Sequence, residues 1–211
     1  MTRPTPSAAD LEALTASTID HYERNAESYR EGTRDHDVSQ NIDALLGAIE
    51  GEAPFTILDL GCGPGRDLAR FVERGHTAVG LDGAKAFVEM AGALTGCEVL
   101  HQNFIELELP PARFDGVFAN ASLFHAPRAA LGDLLRALHA SLKPRGVLFA
   151  SNPRGENQDG FNGQRYGCFY DLENWRACVT AAGFEEIRHY YRPPGLPREQ
   201  QPWLATLWRR R

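Results

Sequence analysis

An apolar run, Phe55-Thr56-Ile57-Leu58-Asp59-Leu60, passes without a break into Gly61-Cys62-Gly63-Pro64-Gly65, and apolar residues at helical spacing, Leu68, Phe71 and Val72, follow at once. A strand that turns through glycines straight into a helix is the building step of an open parallel sheet. In such sheets the turn lies at the carboxyl end of a strand, where ligands bind. Glycine lets the backbone come close to a ligand where a Cβ would collide. The spacing here is G-x-G-x-G. A dinucleotide fingerprint would place its third glycine at position 66, which is Arg66. Without that glycine, the close helix packing that accompanies a pyrophosphate site is not expected, and Asp59 would set a negative charge beside the anion. The turn suits a cationic ligand better.

The alternation continues on both sides of this turn. Ala78-Val79-Gly80-Leu81 reads as a second strand and Ala84 to Leu94 as a second helix, followed by Val99-Leu100 and Gly116-Val117-Phe118-Ala119 as strands. The stripe Leu131, Leu134, Leu135, Leu138, Leu142 predicts a helix stopped by Lys143-Pro144-Arg145-Gly146, and Val147-Leu148-Phe149-Ala150 a further strand. Short turns between such elements imply parallel pairing with right-handed crossovers. Upstream, Ile19, Tyr22, Ala26, Tyr29 and then Ile42, Leu45, Leu46, Ile49 predict two amphipathic helices. Ser151 to Gly167 is polar, glycine-rich and without period, which predicts a long loop of the functional or disordered kind. A helix over 172–182 comes next. Ile187 to Tyr191 and Trp203 to Trp208, parted by Pro193-Pro194-Gly195-Leu196-Pro197, predict an antiparallel hairpin at the sheet edge. The expected fold class is α/β: a doubly wound, Rossmann-like sheet, mostly parallel, with an antiparallel edge hairpin.

Composition narrows the partners. The 211 residues exceed one domain of roughly 150 only modestly, so one elaborated domain is expected. Hydrophobic residues are 43% and charged ones 24%, as in a globular chain, and the net charge of −6 argues against an unassisted grip on nucleic acid or anionic lipid. No run approaches the roughly 20 apolar residues of a membrane span, and Met1 to Ser17 lacks the apolar centre of a secretion signal, so a cytoplasmic protein is expected. Cys62, Cys97, Cys168 and Cys178 form no CxxC pair, which fits a reducing compartment and no metal site. A small-molecule partner remains.

Asp82 closes the second predicted strand, about 20 residues beyond Gly61, where a carboxylate accepts ribose hydroxyls in nucleoside-binding sites. With Asp59 to Gly65, Val79-Gly80-Leu81-Asp82 and Phe114-Asp115-Gly116-Val117-Phe118-Ala119-Asn120, the sequence resembles the class I S-adenosylmethionine (SAM) dependent methyltransferases over about Asp43 to Ala150. The resemblance implies SAM as cofactor, with Gly61, Cys62, Gly63 and Gly65 against its methionyl part and Asp59 facing the amino group. It further implies Asp82 on the ribose, Gly83 and Phe87 flanking the adenine, Asn103 and Phe104 at the adenine edge, and Asn120, closing the next strand, against the cofactor as well. It also implies residues 1–50 as a helical lid, 51–150 as the cofactor core, and 151–211 as an acceptor-site insertion with edge strands. Among relatives the chain looks like small methyltransferases of the tellurite-resistance and mercaptohistidine types. A monomer or homodimer is expected.

Methyl transfer from a sulfonium is an in-line displacement, so positioning supplies most of the catalysis, and only a hydroxyl acceptor needs a matched base. His125, after Asn120-Ala121-Ser122-Leu123-Phe124, is placed as such a base or as a histidine that orders the loop. Asn120 does not continue into the Asn-Pro-Pro-aromatic turn of nucleic-acid amino methyltransferases, which with the charge disfavours a nucleic-acid substrate. Tyr22 and Tyr29 are candidates to close over the cofactor or to fill the core. Arg154, Arg165 and Tyr166, in the donor-rich segment after Ser151, are candidates to hold an acceptor, with a solvated loop as the alternative. The expected activity is methylation of a small polar metabolite at nitrogen or sulfur. A non-catalytic SAM-binding protein and a nicotinamide oxidoreductase remain as alternatives.

Overall fold

The structure is a computed structural model and describes residues 6–211, so residues 1–5 of the expected N-terminal lid lie outside the described residues. Three helices open the chain: α1 (Ala8–Arg24), α2 (Ala26–Thr33) and α3 (Ser39–Leu46). Helix α1 begins in a capping box, in which Asp10 N–H donates to the Ser7 hydroxyl and Ser7 N–H to the Asp10 carboxylate, satisfying donors that helix starts leave free. The stripe from Ile19 to Tyr29 predicts one helix, but α1 stops at its C-cap Asn25, where α2 begins.

The main sheet then builds in the expected rhythm of β1 (Thr56–Leu60), α4 (Arg66–Glu73), β2 (Thr77–Asp82), α5 (Lys85–Thr95), β3 (Val99–His101) and β4 (Phe114–Asn120). It continues with α6 (Leu131–Ser141), β5 (Leu142–Pro153), α7 (Leu172–Ala181), β8 (Phe184–Arg192) and β9 (Trp203–Arg210). The strand order is β3-β2-β1-β4-β5-β9-β8, parallel as far as β5 and antiparallel at the β9-β8 edge. Period-2 alternation sends side chains to opposite layers. Leu58, Leu60, Val117 and Leu148 meet the leucines of α6 and Trp175 of α7, while Ile57, Phe118 and Phe149 meet Ile42, Leu45 and Phe71.

Two expectations are corrected. Helix α6 ends at Ser141, before Lys143 to Gly146, and these residues lie within β5, which starts at Leu142 with a register shift against β4 between Phe114 and Gly116. The stretch from Ser151 to Gly167 is no long loop: β5 runs on to Pro153, and β6 (Gln158–Asn162) and β7 (Arg165–Phe169) form a separate antiparallel hairpin. Asn162 pairs with Arg165 across the two residues Gly163-Gln164, with Gly163 at φ +63°, the positive value that glycine adopts without cost. Its polar composition, Gln158-Asp159-Gly160-Phe161-Asn162, hides the strand because its apolar contacts come from one side chain only.

No helix among the described residues is long and apolar enough to cross a membrane, and no group of three or more His, Cys, Asp or Glu among them is placed to hold a metal ion.

Candidate functional site

The carboxyl ends of β1, β2 and β4 border a cleft open to solvent and roofed by α1. Helical spacing makes the roof: Thr15, Thr18, Ile19 and Tyr22 stand at i, i+3, i+4 and i+7 and so share one face, and all four line the cleft. Gly61 and Gly63 form the floor, Asp82, Gly83 and Phe87 one wall, Asn103 and Phe104 the next, and Ala121, Ser122 and His125 the far end. Tyr29 reaches in from α2.

The glycine loop spends its donors internally. Gly61 and Cys62 N–H both donate to the Leu81 carbonyl, at 2.7 and 3.0 Å, Gly63 N–H donates to Asp82 Oδ2 at 2.9 Å, and Gly65 N–H to the Cys62 carbonyl at 3.1 Å. Residue 64 is proline and has none. A loop so bound offers carbonyls and carboxylates, and no N–H, to whatever lies on it. That is the opposite of an anion nest, where free amides converge.

Glycine is required at two positions for different reasons. At Gly61 (φ +71°) a Cβ would stand 2.5 Å from Ser122 Cβ. At Gly65 (φ +93°) a Cβ would stand 2.8 Å from Ala91 Cα, so this residue starts α4 in close contact with α5. This is a helix–helix contact, whereas the last glycine of a G-x-G-x-x-G loop serves helix–strand packing. Gly65 is not among the residues that line the cleft. Neither is Cys62: its Sγ packs toward Gly80 and the core, and burial pushes the thiol well up.

Two carboxylates flank the loop. Asp82 is half-buried; its Oδ1 accepts Ala84 N–H at 2.9 Å while Oδ2 holds Gly63. Burial raises its pKa, opposed by those amides. Each oxygen keeps a lone pair for a further donor. Asp59 does not line the cleft: it is 3% exposed, behind the loop, and its Oδ2 has no hydrogen-bond partner among the described residues. Burial, then the neighbouring Asp67 charge, holds its pKa well above the usual carboxylate range. Asp67 is itself fixed by Arg66 at 2.7 Å and by the Asn120 amide at 3.1 Å. Asn120 Oδ1 accepts from Asn41, whose own oxygen accepts the Tyr190 hydroxyl, both at 2.9 Å. Asn120 thus serves this buried chain of polar groups and does not line the cleft.

At the far end, His125 Nδ1 lies 2.6 Å from the Tyr166 carbonyl and Nε2 2.9 Å from the Tyr22 hydroxyl. Burial depresses the ring pKa to about 4, the Tyr166 carbonyl opposing and Arg165 and His21 assisting. Tyr22, Tyr29 and Phe87 pack as a cluster with centroids 5.3 to 5.8 Å apart. Burial lifts the Tyr29 pKa to about 12. Asn103 donates to Thr15 Oγ1 at 3.0 Å, tying the third strand's end to the roof.

The expected acceptor-side residues part company here. Arg165 stands over the Tyr22 ring, 6.0 Å from its centroid. Tyr166 contributes only its backbone, because its hydroxyl donates to Asp159 at 2.8 Å, away from the cleft. Arg154 donates to the Arg198 and Gln201 carbonyls at 2.7 and 2.8 Å and packs on Tyr191, where it ties β5 to the β8–β9 connection. Sequence reasoning passed over Ser122, whose buried hydroxyl has no partner among the described residues; its only signal was its place just after the fourth strand.

Residues 57–146 match the family model described as a methyltransferase domain. Over that stretch, under half of its length, the chain is similar to methyltransferase domains. Over 117 residues it is 35% identical to a trans-aconitate 2-methyltransferase of Azoarcus sp. (strain BH72), covering 54% of this chain and 45% of that one. Over 128 residues it is 34% identical to 24-methylenesterol C-methyltransferase 2 of Oryza sativa subsp. japonica, covering 57% of this chain and 33% of that one. The chain thus spans a third to just under half the length of these two relatives. Its fold is that of the 1,6-didemethyltoxoflavin-N1-methyltransferase of Burkholderia thailandensis, solved with 1,6-didemethyltoxoflavin and S-adenosylhomocysteine. The TM-score is 0.77 at 23% identity, covering 100% of this chain and 93% of that one.

Proposed function

We propose that this chain binds SAM in the cleft beneath α1 and transfers its methyl group to a small polar metabolite, at nitrogen or sulfur, with a mercaptohistidine-like amino acid among the candidates. The observation that carries this reading is the internally spent glycine loop. With no N–H to offer, it disfavours the pyrophosphate of a nicotinamide dinucleotide and favours a ligand with a cationic amino-acid part. Asp59, with one buried oxygen unpartnered among the described residues, suits the ammonium group. Asp82, with a lone pair left on each oxygen, suits the ribose hydroxyls. Phe87, Phe104 and Gly83 supply apolar walls for adenine, and Asn103 a polar edge. Bound there, SAM supplies a methyl group activated by the sulfonium charge. Helix α1 acts as the lid that excludes water, and the β6-β7 hairpin, standing against it, walls the acceptor end. The relatives named above act, by their names, on small molecules as different as trans-aconitate, a sterol and a toxoflavin precursor, which agrees with a small acceptor and does not select one.

Calorimetry with S-adenosylhomocysteine and with NAD tests the reading. Saturable binding of the first and none of the second is expected; the reverse would replace this function with the oxidoreductase one. Incubation with methyl-labelled SAM and a metabolite extract is expected to label a small molecule, and binding without labelling would leave a SAM-binding protein only.

A further inference from the structure

We propose that Tyr22, and not His125, is the residue that touches the methyl acceptor, with His125 as the positioning residue that turns the Tyr22 hydroxyl. The site then serves acceptors that react through a lone pair already present at neutral pH. The proposal rests on the methyl-transfer reading of the cleft.

Geometry leaves His125 nothing to offer a substrate. The Tyr166 carbonyl can only accept, so at 2.6 Å Nδ1 carries a proton and donates it there. Nε2 is taken by the Tyr22 hydroxyl at 2.9 Å, and the Phe124 ring covers the imidazole at 3.9 Å between centroids. Burial, with Arg165 and His21 nearby, keeps the ring neutral, so Nε2 accepts and Tyr22 O–H donates. With its proton committed, the phenol oxygen can only accept, from a ligand or from the Arg165 guanidinium beside it. The Ser122 hydroxyl, with no partner among the described residues, lines the same end of the cleft and completes a polar pair for an acceptor to meet.

The other titratable side chains that line the cleft are Tyr29 and Asp82. Burial lifts Tyr29 to about 12, and both oxygens of Asp82 already hold backbone amides. None is a free base matched to an alcohol, whose proton must leave as the bond forms. An unprotonated ring nitrogen, whose ring carries a second N–H to donate to Tyr22, needs no such help. Its own lone pair makes the new bond to carbon, sulfur departs with the electron pair of the bond that breaks, and no proton moves in that step.

Nitrogen NMR of the protein saturated with S-adenosylhomocysteine reads the geometry without any acceptor. At pH 7 His125 is expected as the Nδ1–H tautomer with unprotonated Nε2. Tyr22→Phe should move the Nε2 resonance while leaving the S-adenosylhomocysteine dissociation constant within about twofold, since the lost bond is not to that ligand. Methyl transfer from labelled SAM to 2-mercaptoethanol, imidazole and 1-propanol is the second arm, with the alcohol expected to stay unlabelled. For a labelled acceptor, Tyr22→Phe should raise KM on the order of tenfold with a smaller change in kcat. His125→Gln, whose amide oxygen can still accept from Tyr22, should retain more activity than His125→Leu. A protonated Nε2 at pH 7, labelling of the alcohol, or a KM that Tyr22→Phe leaves unmoved would overturn the proposal. Failure of the unaltered protein to bind S-adenosylhomocysteine would overturn the function itself instead, and the tautomer decides where none of the three probes is labelled.

Discussion

Asp82 Oδ2 accepts the Gly63 amide at 2.9 Å, so the carboxylate that ends β2 also holds the glycine loop of β1 in its bend. One residue is thereby both strut and ligand group, and the two roles separate by substitution. Asp82→Ala leaves the Gly63 and Ala84 amides unpaired and should cost about 1–3 kcal/mol for each in urea unfolding without ligand, besides weakening S-adenosylhomocysteine binding. Asp82→Asn keeps one acceptor oxygen and should lose roughly half as much stability. If affinity survives Asp82→Ala while stability falls, the residue is a strut alone.

Asp59 has the opposite balance. Its pKa in the folded chain lies well above 3.8, so the folded state holds more protons than the unfolded one, and stability falls as pH rises from about 4 toward the folded value. Asp59→Asn removes this titration and a buried charge beside Asp67 that Arg66 and the Leu68 amide only partly offset. The variant is expected to be more stable than the parent at pH 8, on the order of 1–3 kcal/mol, with the advantage shrinking as pH falls to about 4. The same change should weaken S-adenosylhomocysteine binding. A variant less stable than the parent at pH 8 would show that the Asp59 charge is already compensated.

How far such a site could be read from the sequence follows from which contacts are local. The β1 to α4 turn, Asp82 at the end of β2 and the leucine stripe of α6 announce themselves by spacing, because strand period, glycine loop and helix face are properties of neighbouring residues. The β6-β7 hairpin does not, since few apolar side chains mark its period. Tyr166 and Arg154 were legible as donor-rich, but a side chain's direction depends on Asp159, Tyr191 and the carbonyls of the β8–β9 connection, which only the fold brings near. The bond between Tyr22 and His125 spans 103 positions of sequence, and no local pattern encodes it.

Gly61 and Ser122 should be coupled. Gly61→Ala places a Cβ 2.5 Å from Ser122 Cβ at a φ of +71°, and overpacking together with the left-handed backbone should cost roughly 1–3 kcal/mol or more. Ser122→Gly removes the atom that clashes, whereas Ser122→Ala leaves it in place. In chemical denaturation the Gly61→Ala, Ser122→Gly double variant should therefore recover part of the loss, with a coupling of about 0.5–3 kcal/mol, and the Ser122→Ala combination none of it. Equal behaviour of the two combinations would mean that backbone conformation alone makes Gly61 irreplaceable.

The buried imidazole makes stability depend on pH in a predictable direction. His125 titrates at about 4 in the folded chain against 6.5 ordinarily, so between these values the unfolded chain binds more protons. The contribution is complete above about pH 6.5 and drains away as pH falls toward 4, by as much as roughly 3 kcal/mol. His76 and His139 are also depressed by burial and add slope of the same sign, but they remain in a His125→Gln variant. Unfolding free energies of parent and variant measured from pH 7.5 to 4.5 should therefore converge as pH falls, the parent losing more. Curves that stay parallel would mean that His125 takes up its proton as readily folded as unfolded, and the neutral ring bridging Tyr22 and Tyr166 would not exist.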